Sequence, residues 1–144
     1  MIVIAMASGA FAAGSDTAAV AASASVSGVC HVVAGGNIPF GTLAQITGGA
    51  VPATVAQPPI WCTKSLPYAI TDNNGTHASG AIYRLKASLT NDYIPYTFTY
   101  TAAGNGAGKS TNIVPAITAL IAAGDYADVP ADGYSDTVTL TITY

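Results

Sequence analysis

Hydrophobic and polar positions alternate most strictly at the end of the chain. In Thr137-Val138-Thr139-Leu140-Thr141-Ile142-Thr143-Tyr144 the even positions are Val, Leu, Ile and Tyr, and every odd position is Thr. Successive side chains of a strand point to opposite faces, so the pattern predicts one extended ribbon with an apolar face and a hydroxyl face. β-branched and aromatic residues suit such a half-buried, pleated surface. The strand closes the sequence, which raises the question of what covers its apolar face and its free edge.

Asp16–Gly28 shows the same period with different residues. Ala18, Val20, Ala22, Ala24 and Val26 occupy even positions, and Ala19, Ala21, Ser23, Ser25 and Ser27 the odd ones. Alanine prefers a helix by propensity and is a poor strand former. Two readings follow: a floppy low-complexity arm, or an extended strand that enters a narrow groove and needs slim side chains to fit.

Between these stretches lie short segments separated by turns. Val29–Val33 reads as a strand, followed by a Gly35-Gly36-Asn37 turn, the Ile38–Leu43 segment, and a Gly/Pro-rich link from Thr47 to Pro59. Ile60–Thr63 reads as a strand, and Leu66, Tyr68 and Ile70 line one face of the next. Asp72-Asn73-Asn74-Gly75 supplies a turn, because Asn-Gly tolerates the positive φ of tight hairpins. Tyr83 and Leu85 alternate with Arg84 and Lys86, and Ile94, Tyr96, Phe98 and Tyr100 share a face. Pro95 demotes part of that strand to an edge. Ala102–Ser110 and Gly124–Gly133 read as loops. Asn112–Ala123 fits either a helical face (Ile113, Ile117, Ile121) or strand parity (Ile113, Pro115, Ile117, Ile121). About seven strands at this spacing, without βαβ alternation, predict an all-β sandwich.

Composition narrows the function. At 144 residues the chain is one domain with room for a core, and only 8% of it is charged: four Lys+Arg against seven acidic residues. That excludes a basic nucleic-acid surface. So sparse a charge suits a subunit covered by neighbours better than a freely diffusing monomer. Met1–Ala12 is apolar and ends in Ala10-Phe11-Ala12, the small-x-small pattern of a secretory cleavage site, although no Lys or Arg precedes it. The expectation is a signal peptide over 1–12 with the mature chain starting at Ala13; the alternative is an uncleaved apolar strand or helix. Export also decides the cysteines. Cys30 and Cys62 would be free thiols in a cytosolic protein, whereas in an exported one a disulfide is the first reading.

No catalytic constellation emerges. Ala103-Gly-Asn-Gly-Ala-Gly108-Lys109-Ser110 mimics a phosphate-binding loop. Pro115 follows too soon for the required helix, however, and the parallel α/β context is missing, so no nucleotide is expected. Neither His31 nor His77 has a partner at metal-ligand spacing. Asp125, Asp128, Asp132 and Asp136 would cluster on a helix, but the Gly and Pro among them argue for a loop and leave calcium a secondary reading. Asn74-Gly75-Thr76 fits a glycosylation sequon and is more simply turn chemistry. The chain is expected to be no enzyme and to need no cofactor or metal.

Several pieces, in order, carry a family resemblance. Cys30 stands 17 residues after Ala13, followed by Phe40-Gly41, by Trp61-Cys62-Thr63 with Pro67-Tyr68 beyond it, and by Gly133-Tyr134-Ser135-Asp136-Thr137 opening the last strand. The chain resembles a spore coat protein U domain, the pilin type of archaic chaperone–usher pili. The resemblance implies an incomplete immunoglobulin-like sandwich over 30–144, completed by a donor strand from a neighbouring subunit's arm (13–29). It implies donor residues Ala18, Val20, Ala22, Ala24 and Val26, and a groove lined by Val138, Leu140, Ile142 and Tyr144. The implied partners are a periplasmic chaperone, an outer-membrane usher and other copies of the chain, in a cell-surface pilus serving adhesion and biofilm formation. An arm ahead of Cys30 marks a shaft subunit, with no room for a tip adhesin's second domain. Alternatives are a secreted monomeric sandwich that binds a ligand or carbohydrate, and a spore-coat structural protein.

Overall fold

A computed structural model describes residues 13–144; the signal peptide expected at 1–12 lies outside the described residues. In chain order the strands are β1 (Cys30–Val32), β2 (Val51–Pro52), β3 (Ile60–Cys62), β4 (Pro67–Asp72), β5 (Tyr83–Ala87), β6 (Tyr93–Thr99), β7 (Ala103–Asn105), β8 (Thr118–Ile121), β9 (Tyr134–Ser135) and β10 (Leu140–Thr143). Among the described residues there is no helix. A three-stranded sheet, β10-β4-β7, stands with a five-stranded sheet, β2-β8-β6-β5-β9, and a β1-β3 ribbon. Every pairing is antiparallel. The architecture is all-β and consistent with an immunoglobulin-like sandwich.

The period of two builds the core. Tyr68 and Ile70 of β4 are buried while their neighbours face out; Ile94, Tyr96 and Phe98 do the same in β6, and Ala119 and Ile121 in β8. One buried cluster centres on β6 and β8, with Tyr126 and Ile117; the other holds Ile60, Cys62, Tyr68 and Ile70. Tyr100 and Leu140 pack against both clusters. Cys30 and Cys62 face each other across β1 and β3 and form a disulfide.

Several segments differ from the sequence reading. The Asn112–Ala123 ambiguity resolves as a strand: Thr118–Ile121 pairs with β6, and Ile117, Ala119 and Ile121 point inward. Ala102–Ser110 is not all loop, because β7 pairs with Pro67–Ala69 of β4. The Thr47–Pro59 link contains β2, paired with Leu120 and Ile121. Asn74 and Gly75 have φ of 60° and 85°, as the turn chemistry required, but they join β4 to β5 in a different sheet rather than closing a hairpin. Pro95 lies in β6, between β5 and β8; β8 reaches only Thr97–Thr99, so one side of the strand is unpaired at the proline, where a missing N–H costs nothing.

The final ribbon is the main departure. Tyr134–Ser135 pairs with β5 in the larger sheet, while Leu140–Thr143 pairs with β4 in the smaller one. The chain crosses between sheets over Asp136–Thr139, and the Thr139 N–H bonds to the Asn73 side chain at 2.9 Å instead of to a strand. Regular pairing therefore starts at Leu140, not Val138.

Candidate functional site, an open groove beside β10

Among the described residues, β10 pairs with β4 on one side and with no strand on the other. Along this free edge runs an open groove of about 460 Å³. Leu140 and Ile142 of β10, with Val138 from the crossover just before it, form one wall; Ile38 and Phe40 line the opposite wall, with Ile70, Phe98 and Ile117 contributed by the core. Three of the four expected groove residues are thus brought together. Tyr144 is not: it is 58% exposed and outside the lining. The opposite wall is loosely built. Asn37 exchanges backbone hydrogen bonds with Ala56, but Ile38–Leu43 belongs to no strand. Both walls therefore present backbone groups that an added strand could pair with.

The arm is the complement of this site. Residues 13–29 are exposed and adopt no regular pairing; Val20 and Val26 are 92% and 85% exposed. The arm leaves the domain at Val29, held by the Thr63 hydroxyl at 3.0 Å and by the Thr63 N–H at 2.9 Å. Gly28 lies close against the Leu66 side chain, whose terminal methyls a Cβ there would push aside. Ala18, Val20, Ala22, Ala24 and Val26 remain off the domain's own groove.

Polar side chains mark the end of the groove at the β9–β10 crossover. The Asp136 carboxylate accepts from the Thr76 N–H (2.8 Å), the His77 N–H (3.1 Å) and the Tyr96 hydroxyl (2.7 Å). Asp72, the last residue of β4, accepts from the Asn74 N–H (2.6 Å) and from the hydroxyls of Tyr83 and Tyr100 (both 2.8 Å). Burial alone would raise the Asp72 pKa, but the Asn74 N–H and the two phenols outweigh it and hold the group below the usual carboxylate range. Burial, then the bond to Asp72, pushes the Tyr83 phenol up to about 12; burial and Asp136 raise Tyr96, and burial and Asp72 raise Tyr100. Sequence reading missed this cluster. Its signals were the Asp72 that opens the Asn-Asn-Gly turn and the Asp of Gly-Tyr-Ser-Asp-Thr.

The other chemical candidates have local work. In the glycine-rich segment, the N–H groups of Gly106 and Gly108 bond to the carbonyls of Leu66 (2.8 Å) and Cys62 (3.0 Å). A Cβ on Gly106 would collide with the Thr63 carbonyl, and one on Gly104 with the Tyr68 ring. These glycines serve close backbone packing. Asp132 accepts from Ser88 and from the Leu89 N–H, tying the β5–β6 turn to the loop before β9. His31 lies against Trp61, with ring centroids 5.9 Å apart.

A family model described as the Spore Coat Protein U domain matches residues 16–141, from within the arm to within β10. No curated protein matches the chain.

Proposed function

The chain belongs to the Spore Coat Protein U domain family, a placement consistent with subunits of pilus or fimbrial type, and from that premise we propose that it is a structural subunit of an extracellular filament. The observation that carries the reading is the pairing of features within one chain: an apolar groove along the unpaired edge of β10, and an exposed arm with a strand's alternation. The arm of one copy enters the groove of the next. Strand addition of this kind, of which pilin complementation is a known case, takes affinity from backbone hydrogen bonds and register from alternate side chains. Val20 and Val26 would each contribute about 1.5–3 kcal/mol on burial, and each new backbone bond about 0.5–1.5 kcal/mol. Because the donating and accepting surfaces differ, the contact is head-to-tail and propagates a filament.

Assembly of this kind calls for a periplasmic chaperone to cover the groove during export and an outer-membrane usher to exchange it for the next arm. The exchange needs no nucleotide, since the arm supplies the free energy. The disulfide between Cys30 and Cys62 fits an oxidising, exported setting. The filament would serve adhesion and biofilm formation, with no catalytic step assigned to the chain.

Deleting Ala13–Ser27 tests the reading. The full chain gives a ladder of multimers on an unboiled gel and filaments by electron microscopy; the deleted chain, kept soluble by a chaperone, gives neither. Filaments from the deleted chain would refute strand donation.

A further inference from the structure

An apolar groove in water tends to close, because collapse removes its walls from solvent. Elsewhere in the sandwich, interdigitated side chains set the distance between sheets. Along the open groove the strand that would fill this space is absent, so something else must fix the separation. The structure assigns this to a set of struts at the crossover end: we propose that Asp72 and Asp136, with the hydroxyls of Tyr83, Tyr96 and Tyr100, are positioning residues that hold the groove open for an incoming strand. The inference rests on the strand-accepting reading above.

The geometry is that of struts pinned at both ends. Tyr83 and Tyr96 stand on β5 and β6 of the five-stranded sheet, and Tyr100 follows β6 directly. Their hydroxyls reach carboxylates elsewhere: Asp72 ends β4 of the three-stranded sheet, and Asp136 lies on the crossover between the sheets. The rings are wedged by neighbours. Tyr96 meets Phe40 at 5.6 Å between centroids, Tyr83 meets Phe98 at 5.2 Å, and Phe98 meets Tyr100 at 5.6 Å. The carboxylates are fixed by N–H groups of the 74–77 turn. Gly75 lets that turn lie directly on Asp136, because a Cβ there would run into the Asp136 carboxylate. Tyr96 also lines the groove, so its position is read directly by an entering strand. A phenylalanine would keep the ring but free its far end, letting the sheets slide together.

A purely stabilising cluster would strengthen empty and filled subunits alike. A spacer matters most while the groove is empty, since a bound strand itself holds the walls apart. The test therefore compares strand uptake with retention. Full-length chains carrying Tyr96→Phe, or Tyr83→Phe with Tyr100→Phe, are unfolded in guanidinium with the disulfide intact and refolded. Multimers are counted over time on unboiled gels, and the dissociation of preformed multimers is followed separately. Tyr126→Phe is the matched control, since it removes a buried tyrosine's bond to the Gly49 carbonyl (2.7 Å) away from the groove.

The expected result is multimer formation slowed about tenfold in the strut variants, the change given by one or two net hydrogen bonds. Dissociation should be unchanged, and the control should assemble at the wild-type rate. Equal slowing in the control, unchanged assembly in the strut variants, or dissociation accelerated as much as formation is slowed would each overturn the spacer. If a strut variant fails to refold, Asp72→Asn, which retains one carbonyl acceptor for the phenols, is held to the same comparison. If the wild-type chain forms no multimers, the strand-accepting reading fails and the spacer falls with it. Normal wild-type assembly with indifferent struts removes the spacer alone.

Discussion

The arm and the closing strand carry the same alternation but have opposite fates. In β10, Leu140 and Ile142 are half-buried against their own domain, and one edge is bonded to β4. In the arm, Val20 and Val26 stand almost fully in solvent, and no residue ahead of Val29 is paired. A period of two specifies a strand with two distinct faces, not the sheet it joins. What separates the two regions is side-chain size. Leu, Ile and Thr give β10 enough buried surface to hold a place in its own sheet, whereas Ala and Ser give the arm too little to offset the entropy of ordering it alone.

The largest effect should come from charging one face of the arm. Val20→Asp or Val26→Asp would place an unpaired carboxylate in an apolar groove, weakening assembly by at least about 4 kcal/mol, or roughly a thousandfold. Ser23→Asp or Ser25→Asp, on the other face, should change it by no more than about 0.5 kcal/mol. Multimer yield on unboiled gels checks both, and equal effects on the two faces would break the proposed register. None of these changes should alter the unfolding of the isolated subunit. Ile142→Ala, by contrast, should lower subunit stability by about 2 kcal/mol, because β10 already belongs to its domain.

The disulfide marks the boundary between the two behaviours, since the free arm meets the folded domain at Val29 and Cys30. Replacing both Cys30 and Cys62 by Ser should cost about 3.5–4 kcal/mol in the chain-entropy picture for a loop of this length, measured by denaturant unfolding. A loss under 1 kcal/mol would show that β1 and β3 are held by packing alone.

The smallest effect is pH-dependent and confined to the groove end. The lowered pKa of Asp72 means that its stabilisation is present above the unfolded value near 3.9 and is lost as pH falls through the folded value. The raised phenol of Tyr83 stabilises fully below about pH 10 and is lost as pH rises through about 12. Asp72→Asn should flatten the acid limb of a melting-temperature profile and Tyr83→Phe the alkaline limb. Val20, Ser23, Ser25 and Val26 all stand in solvent in the isolated subunit, where a carboxylate would titrate alike folded and unfolded, so the arm variants should leave both limbs unchanged.

Much of the fold was legible because the period of two is local. β4, β6 and β10 could be read from Tyr68 and Ile70, from Ile94, Tyr96 and Phe98, and from Leu140 and Ile142. The illegible parts depend on distant partners. β7 is Ala-Gly-Asn, whose strand character comes from β4 and from the Tyr68 ring over Gly104. The break at Asp136–Thr139 has no apolar signature, since the alternation runs through it unbroken; the Asn73 side chain, just past the end of the neighbouring strand β4, takes the Thr139 N–H there. The strut cluster was hidden for the same reason, as Asp72 and Asp136 meet tyrosines 11 to 40 residues away. Tyr144 has the right parity for the groove yet lies beyond its end.

Cysteine trapping shows whether the groove beside β10 takes the arm of another copy. One full-length chain carries Leu140→Cys; the other carries a single cysteine at Val20, Ala22, Ala24 or, as controls, Ala21, Ser23 or Ser25. The two are mixed during refolding and oxidised. A disulfide-linked heterodimer is expected from at least one even arm position and from none of the odd ones. Linkage irrespective of parity, or failure at every even position while multimers form, would contradict strand donation.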